Sequence, residues 1–241
     1  METRLFENVV ALDSKVHANY KMISSEGFSF AQNVLGAPLS MTEVVKASRE
    51  FPIFFPTTGK FLPVAQMGYQ KNANLYVDEK GEWTARYKPA HIRRFPFILG
   101  EKKGPGKYVI MVDKERISPK GDGQALFEGG KVPEGGIVDR ARQFLTDFQK
   151  ELEQTEALLK PLQDANILVQ KVYTIRKGED VLGSVRDLQV IDTEKLSALD
   201  DATLAKWVRS GLMGIIMAHL HSLDNWNSQK AMSAPNQPGA A

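Results

Sequence analysis

The hydrophobic positions of the chain repeat with two different periods, which predict strands in the first half and helices in the second. Between residues 52 and 112, short apolar runs alternate with glycine, proline and asparagine, as is typical of antiparallel strands joined by tight turns. Over 137–160, apolar residues recur every three or four positions, which predicts an amphipathic helix that Pro161 ends. The two patterns together predict an α+β protein.

Local signals add the remaining elements. Ser40 and Glu43 form a capping-box pattern, which predicts a helix over 41–50. The C-terminal half is expected to hold a β-hairpin (167–175 with 184–191), a short helix (193–199) and a second long helix (202–226). Strands are predicted over 5–12, 52–55, 61–67, 74–77, 82–87, 94–99 and 107–113. The expected architecture is an antiparallel sheet region in the N-terminal half, packed with two long amphipathic helices and a β-hairpin from the C-terminal half.

Composition along the chain predicts one domain over 1–228. The six glycines of 118–136 indicate a loop and the best candidate for an internal boundary, and the small polar residues of 229–241 indicate a flexible tail. No apolar run reaches the length of a membrane span, and the N-terminus lacks the pattern of a signal peptide. These features predict a cytoplasmic protein without a membrane span, with leaderless export to the surface left open.

Charge and residue usage exclude several classes of site. The 31 basic and 29 acidic side chains leave a net charge of +2, which argues against general nucleic-acid binding. Without cysteine the chain has no thiolate nucleophile and no cysteine-ligated metal. The glycine- and lysine-rich stretch over 100–107 has the wrong spacing for a phosphate-binding loop, and Tyr108 stands where the motif needs Ser or Thr. The sequence identifies no cofactor and no metal site.

The segment 83–107 departs most from the average composition, because seven basic side chains face a single acidic one there. Aromatic residues interleave with the cations, and the planar fork of arginine suits a carboxylate or phosphate. On an extended backbone Arg93 and Arg94 would point to opposite faces, so at least one is expected to turn inward. The predicted ligand-binding residues are Trp83, Tyr87, His91, Arg93, Arg94 and His219. The alternative is a solvated basic strand edge.

His219 falls in the centre of the apolar stripe when the last helix is drawn as one continuous wheel, and His221 falls on its polar side. The two histidines therefore cannot hold one metal ion, and His219 is expected to be a core residue. The alternative is a dispersed enzyme site that combines His219 with His17 or His91 and a carboxylate.

The stretch YKPAHIRRFPFIL, residues 87–99, resembles the signature of the bacterial SapC family. Stretches at 50–55, 63–83 and 196–223 are similar to that family as well. The resemblance implies a protein associated with surface-layer loci, and it implies no catalytic residues.

The leading hypothesis is a SapC-like accessory or binding protein, associated with a surface layer or with export. Such a protein would hold an anionic small molecule or an acidic peptide at a basic aromatic strand. An enzyme of unknown reaction and a self-associating surface-array protein are the alternatives. The sequence does not define the oligomeric state.

Overall fold

The computed structural model describes residues 5–24, 26–70, 73–101, 108–177 and 179–232. These residues group into two compact units. The first contains the described residues of 28–89 and 151–232, and the second contains those of 5–27 and 90–150. The divisions fall next to residues 27, 89 and 150, away from the glycine-rich stretch over 118–136. The single domain expected over 1–228 stays a prediction.

Antiparallel pairing joins all the strands among the described residues, and with the helices it confirms the α+β class. In the second unit, β1, β7 and β6 form one sheet in that order, and β2 pairs with β8. In the first unit, a five-stranded sheet has the order β3-β5-β4-β10-β9. The strands are β1 (Val9–Ala11), β2 (Lys21–Met22), β3 (Gly36–Pro38), β4 (Ile53–Pro56), β5 (Val64–Gln66), β6 (Phe97–Glu101), β7 (Tyr108–Asp113), β8 (Ile117–Ser118), β9 (Leu168–Lys177) and β10 (Asp180–Ile191).

Seven α-helices lie within the described residues. They are α1 (Met41–Ala47), α2 (Ala90–Arg93), α3 (Ile137–Asp164), α4 (Thr193–Ser197), α5 (Asp201–Ser210), α6 (Leu212–Ser222) and α7 (Asn225–Met232). The helix α1 begins where the capping-box pattern places it, since the Glu43 carboxylate accepts the backbone N–H of Ser40 at 3.0 Å. No helix among the described residues is long and apolar enough to cross a membrane.

Two of the predicted strands are wrong. Residues 74–77 and 82–87 form turns that share a single bridge between Val77 and Trp83. The side chain of Asp78 holds the backbone between these two segments in a turn. Its carboxylate accepts the N–H groups of Lys80 and Glu82 at 2.9 and 2.8 Å. Side-chain acceptors of this kind compete with a strand ladder for the same backbone donors.

The prediction that Pro161 ends the long helix is also wrong. The helix α3 continues to Asp164, and the left-handed conformation of Asn166 (φ 54°) follows its last turn. A proline near the end of a helix removes only one backbone hydrogen bond, so the last turn can still form around it.

The second long helix is interrupted, because Gly211 adopts a left-handed conformation (φ 83°) between α5 and α6. Because of this break, the residues before and after Gly211 do not follow one continuous helical wheel. Val208, which a continuous wheel places on the apolar stripe beside His219, is therefore 62% exposed, whereas His219 is fully buried.

The first residue of the expected flexible tail, Gln229, lies in a helix. Gln229 lies in α7 and is fully buried, and its side-chain amide donates to the backbone carbonyl of Gln66 at 2.6 Å. This hydrogen bond is formed by a residue that the composition assigns to the tail, so the prediction is wrong at that position. Residues 233–241 lie outside the described residues.

Each unit has its own buried apolar residues. In the first unit, α6 packs against β4 and β10, and the fully buried side chains of Ile53 and Phe55 lie in β4. In the second unit, one cluster joins the β1-β7-β6 sheet to the start of α3; it contains Met22, Phe97, Val112, Ile117, Leu126, Phe127, Val138 and Leu145. Both units therefore bury apolar surface of their own.

The break at Gly211 gives a matched pair of glycine substitutions. Gly211→Ala should lower the free energy of unfolding by about 1 kcal/mol, because an L side chain is strained at positive φ. Gly214→Ala is the control, since Gly214 lies within α6 with open space around it and should gain up to about 1 kcal/mol of helix propensity. Urea denaturation measures both values. A Gly211→Ala protein as stable as Gly214→Ala would contradict this account of the break.

Candidate anion-binding site

The basic segment ends in a short helix, so the expected strand over 94–99 begins too early. Arg93 is the last residue of α2, and the backbone N–H of Arg94 still donates to the carbonyl of Ala90 at 2.9 Å. Consecutive residues on a helical backbone point about 100° apart, rather than to opposite faces. Arg93 is consequently exposed and Arg94 half-buried, in agreement with the inference that one of the two turns inward.

Arg94 carries its charge into a largely apolar environment. The guanidinium carbon lies 5.3 Å from the ring centroid of Phe6, and Nε is fully buried without a hydrogen-bond partner. Burial lowers the pKa of Arg94 to about 10. A neighbouring carboxylate would counteract this shift, and no ion pair joins Arg94 to an acidic side chain of the described residues.

His91 lies one turn before Arg94 and is almost as isolated. It is 7% exposed, and both ring nitrogens are buried without hydrogen-bond partners. Burial holds the pKa of His91 well below 6.5, and the positive charge of Arg94 lowers it further. The imidazole is therefore neutral, with one N–H donor and one lone pair unsatisfied, which is unfavourable in a protein interior.

Other cations of the second unit lie over aromatic rings. The guanidinium carbon of Arg93 lies 5.2 Å from the ring centroid of Phe144, and that of Arg116 lies 5.2 Å from the ring centroid of Phe95. A cation at this distance is attracted to the negative face of the ring, so the aromatic rings help to stabilise both charges.

Trp83 and Tyr87 belong to the first unit, where two carboxylates fix the segment that contains them. The Tyr87 hydroxyl donates to Glu43 at 2.8 Å, and the Trp83 indole N–H donates to the Tyr87 carbonyl at 3.1 Å. Glu50 accepts the backbone N–H groups of Arg86 and Tyr87 at 2.6 and 2.9 Å. These contacts anchor the segment to α1 and the residues that follow it.

His219 is the core residue that the wheel predicts. Its Nδ1–H donates to the Ile53 carbonyl at 2.8 Å, and its Nε2 accepts the Ile191 N–H at 3.2 Å. The Ser222 hydroxyl donates to the carbonyl of His219 at 2.6 Å and accepts the Ile53 N–H at 2.9 Å. Together these bonds tie α6 to β4 and β10, and burial lowers the pKa of His219 to about 4.

The remaining basic residues of the segment fall into two groups. The Lys88 ammonium lies 4.4 Å from the ring centroid of Phe28, in the first unit. Lys102, Lys103 and Lys107 lie outside the described residues, together with most of the 100–107 stretch. Within the described ranges, no three potential ligand side chains of His, Asp or Glu cluster as a metal ion would require.

Sequence reasoning missed the anchoring roles of Glu43 and Glu50. The capping-box pattern identifies Glu43 as a helix-start residue, but it carries no information about Tyr87, which lies 44 positions away. Glu50 directly precedes Phe51 and Pro52 and carries no recognisable signal. The contacts of Glu43 and Glu50 depend on packing between distant parts of the chain, which a local sequence pattern does not show.

Stability should fall as the pH is lowered, because His219 is harder to protonate in the folded protein. Its pKa rises from about 4 to about 6.5 on unfolding, so the unfolded chain binds more protons between these values. The shift corresponds to about 3 kcal/mol of unfolding free energy lost between pH 6.5 and pH 4. His91 acts in the same direction.

The effect is measured by urea denaturation across this pH range. His219→Gln, whose amide can still donate and accept, should flatten the dependence of unfolding free energy on pH. His221→Gln is the control, since His221 is exposed on the same helix. Equal pH dependence in wild type and His219→Gln would rule out the assigned role.

Comparison with known proteins identifies the family of this chain. No curated protein and no solved structure matches this chain. The SapC family model matches residues 12–228, which include the strands and helices that hold His91, Arg94 and His219. The match extends over nearly the whole described chain, and the protein belongs to the SapC family.

Proposed function

We propose that this SapC-family protein is a non-enzymatic binding protein that holds an anionic group at Arg94, with His91 and Arg93 beside it in sequence. The ligand is a small molecule or an acidic peptide that presents a carboxylate or phosphate. Association with a surface layer or with export, which the family's name suggests, belongs to the same proposal. The observation that carries it is the buried, unpaired Nε of Arg94.

The unpaired charge of Arg94 has an energetic cost. Burying a cation without a counter-ion is unfavourable, so proteins usually pair such a group with their own carboxylate. Arg94 has no such partner among the described acidic residues, and its lowered pKa reflects the missing compensation. An external anion would supply the absent charge.

The geometry of the guanidinium also suits a carboxylate. The guanidinium carbon of Arg94 lies 5.3 Å from the ring centroid of Phe6, so the apolar ring covers one part of the group. The two terminal nitrogens of one guanidinium match the two oxygens of a carboxylate, and they lie beyond the buried Nε. The side chain is half-buried, which leaves part of it within reach of a ligand.

His91 adds a second group whose nitrogens have no partner within the protein. A neutral imidazole near a guanidinium can donate its N–H to the same anion without adding charge repulsion. Both ring nitrogens lack partners inside the protein, so a ligand oxygen would satisfy a donor that otherwise costs stability.

Trp83, Tyr87 and His219 are left out of the proposed site. Their polar atoms donate to or accept from groups of the first unit. The enzyme alternative combined His219 with His17 or His91 and a carboxylate, and both ring nitrogens of His219 are hydrogen-bonded to the backbone. A self-associating array protein remains an alternative, which light scattering over a range of protein concentrations tests.

Ligand capture is tested with probes of defined chemistry. Succinate, inorganic phosphate and a glutamate-rich peptide are titrated into the full chain by calorimetry, with a thermal-shift assay alongside. At least one probe should bind saturably and raise the melting temperature of the wild type. Arg94→Gln should weaken that binding at least about tenfold, the usual effect of losing a charge-assisted bidentate contact.

Two further variants serve as controls for Arg94→Gln. Arg94→Lys keeps the charge but loses the fork, so it should bind more weakly than wild type. Arg86→Gln removes an exposed arginine of the other unit and should change nothing. Wild-type affinity in Arg94→Gln, or no saturation by any probe below about 10 mM, would refute the proposal.

A stability measurement separates a binding arginine from a structural one. Arg94→Met removes an unpaired, half-buried charge and keeps the apolar volume, so the ligand-free protein should be as stable as wild type or about 1 kcal/mol more stable. If Arg94 instead stabilises the fold, Arg94→Met should lower the free energy of unfolding. Urea denaturation in an anion-poor buffer measures the difference.

A further inference from the structure

A cavity of about 340 Å³ lies on the five-stranded sheet of the first unit, on the face opposite to the fully buried side chains of Ile53 and Phe55. The register places Pro38, Val64 and Phe54 side by side across β3, β5 and β4, and these three residues form its apolar floor. The volume is at the small end of the range for ligand pockets, which suits a compact molecule.

A β-bulge in β10 shapes one wall of this cavity. Val185 pairs with Tyr173 and Leu188 with Lys171, so two residues, Arg186 and Asp187, face a single residue of β9. Asp187 adopts a left-handed conformation (φ 58°), and its carbonyl accepts the N–H and hydroxyl of Thr57 at 3.2 and 3.3 Å. Backbone conformations of this kind often accompany ligand sites.

The bulge brings unpaired charges to the rim of the cavity. Arg186 and Asp187 line it from β10, and Lys60 lines it from the loop between β4 and β5. All three side chains are exposed, and no ion pair joins any of them to another charged side chain of the described residues. The rim thus offers two cations and one carboxylate above an apolar floor.

We propose that this cavity binds a free α-amino acid with an apolar side chain. The ligand carboxylate meets Lys60 and Arg186, the ammonium meets Asp187, and the side chain covers Phe54 and Val64. A simple anion would be repelled by Asp187, and a purely apolar molecule would make use of none of the three charges. The inference goes beyond the proposed function, since it uses no residue of the second unit.

The chemical class is tested with L-leucine and L-phenylalanine and with matched analogues, by calorimetry on the full chain. The analogue 3-phenylpropionate lacks the ammonium, 2-phenylethylamine lacks the carboxylate, and a diphenylalanine peptide carries its two charges on different residues. One of the amino acids should bind saturably, and each analogue should bind at least about tenfold more weakly. Equal binding of any analogue, or no saturation by either amino acid below about 10 mM, overturns the proposal.

Three variants locate the site. Asp187→Asn keeps a residue type that tolerates the left-handed backbone and removes only the charge, so it should weaken amino-acid binding at least about tenfold. Arg186→Gln should also weaken amino-acid binding at least about tenfold. It tests the site on its own if Asp187→Asn destabilises the protein. Lys206→Gln, an exposed change on α5 outside the cavity, should bind as wild type does.

Arg94→Gln is included in the same series and should also bind the amino acid as wild type does. The two proposals can therefore fail independently. Loss of the proposed anion binding at Arg94 would not affect amino-acid binding in the cavity, and loss of amino-acid binding would not affect Arg94. Wild-type affinity in both Asp187→Asn and Arg186→Gln would contradict the assignment.

Discussion

A positive charge without an internal counter-ion is the constraint on which the functional account depends. Arg94 lies half-buried against Phe6, and the low pKa of about 10 expresses the cost of keeping it charged there. The same charge helps to hold His91 neutral. A folded protein that retains such an arrangement gains nothing in stability from it, so an external anion is the simplest physical reason for it.

The predicted site residues of the first unit, Tyr87, Trp83 and His219, form hydrogen bonds within that unit. Glu43 and Glu50 accept hydrogen bonds from the segment that contains Tyr87, and His219 uses both ring nitrogens to join α6 to two strands. The contacts of all these residues are those of structural anchors. Among the predicted site residues, His91 and Arg94 differ because their side chains have buried nitrogens without a hydrogen-bond partner.

The sequence predicts elements well where a single local pattern determines them. The start of α1, the start of α3 and the β9–β10 hairpin all follow from capping or periodicity. The turns around Asp78 and the break at Gly211 do not, because they depend on side-chain acceptors and on a left-handed backbone that hydrophobic patterning ignores. Predicting one continuous helix therefore placed Val208 on the wrong face.

The candidate sites could be predicted only in part. Composition singles out the basic aromatic segment, but it cannot tell which of two adjacent arginines is buried, since that depends on Phe6 from a distant part of the chain. The β10 bulge left a detectable signal. Val185 and Leu188 are apolar and three positions apart, which breaks the two-residue period of a strand at the two charged residues between them.

Nuclear magnetic resonance of the Arg94 side chain tests the central claim most directly. The Nε–H signal of Arg94 and the ring nitrogens of His91 are followed in ¹⁵N-labelled protein while succinate or inorganic phosphate is added. The account predicts that an anion moves the Arg94 Nε–H signal downfield in a saturable manner, together with a change at His91. Saturable changes confined to other arginines, with Arg94 and His91 unaffected, would contradict it.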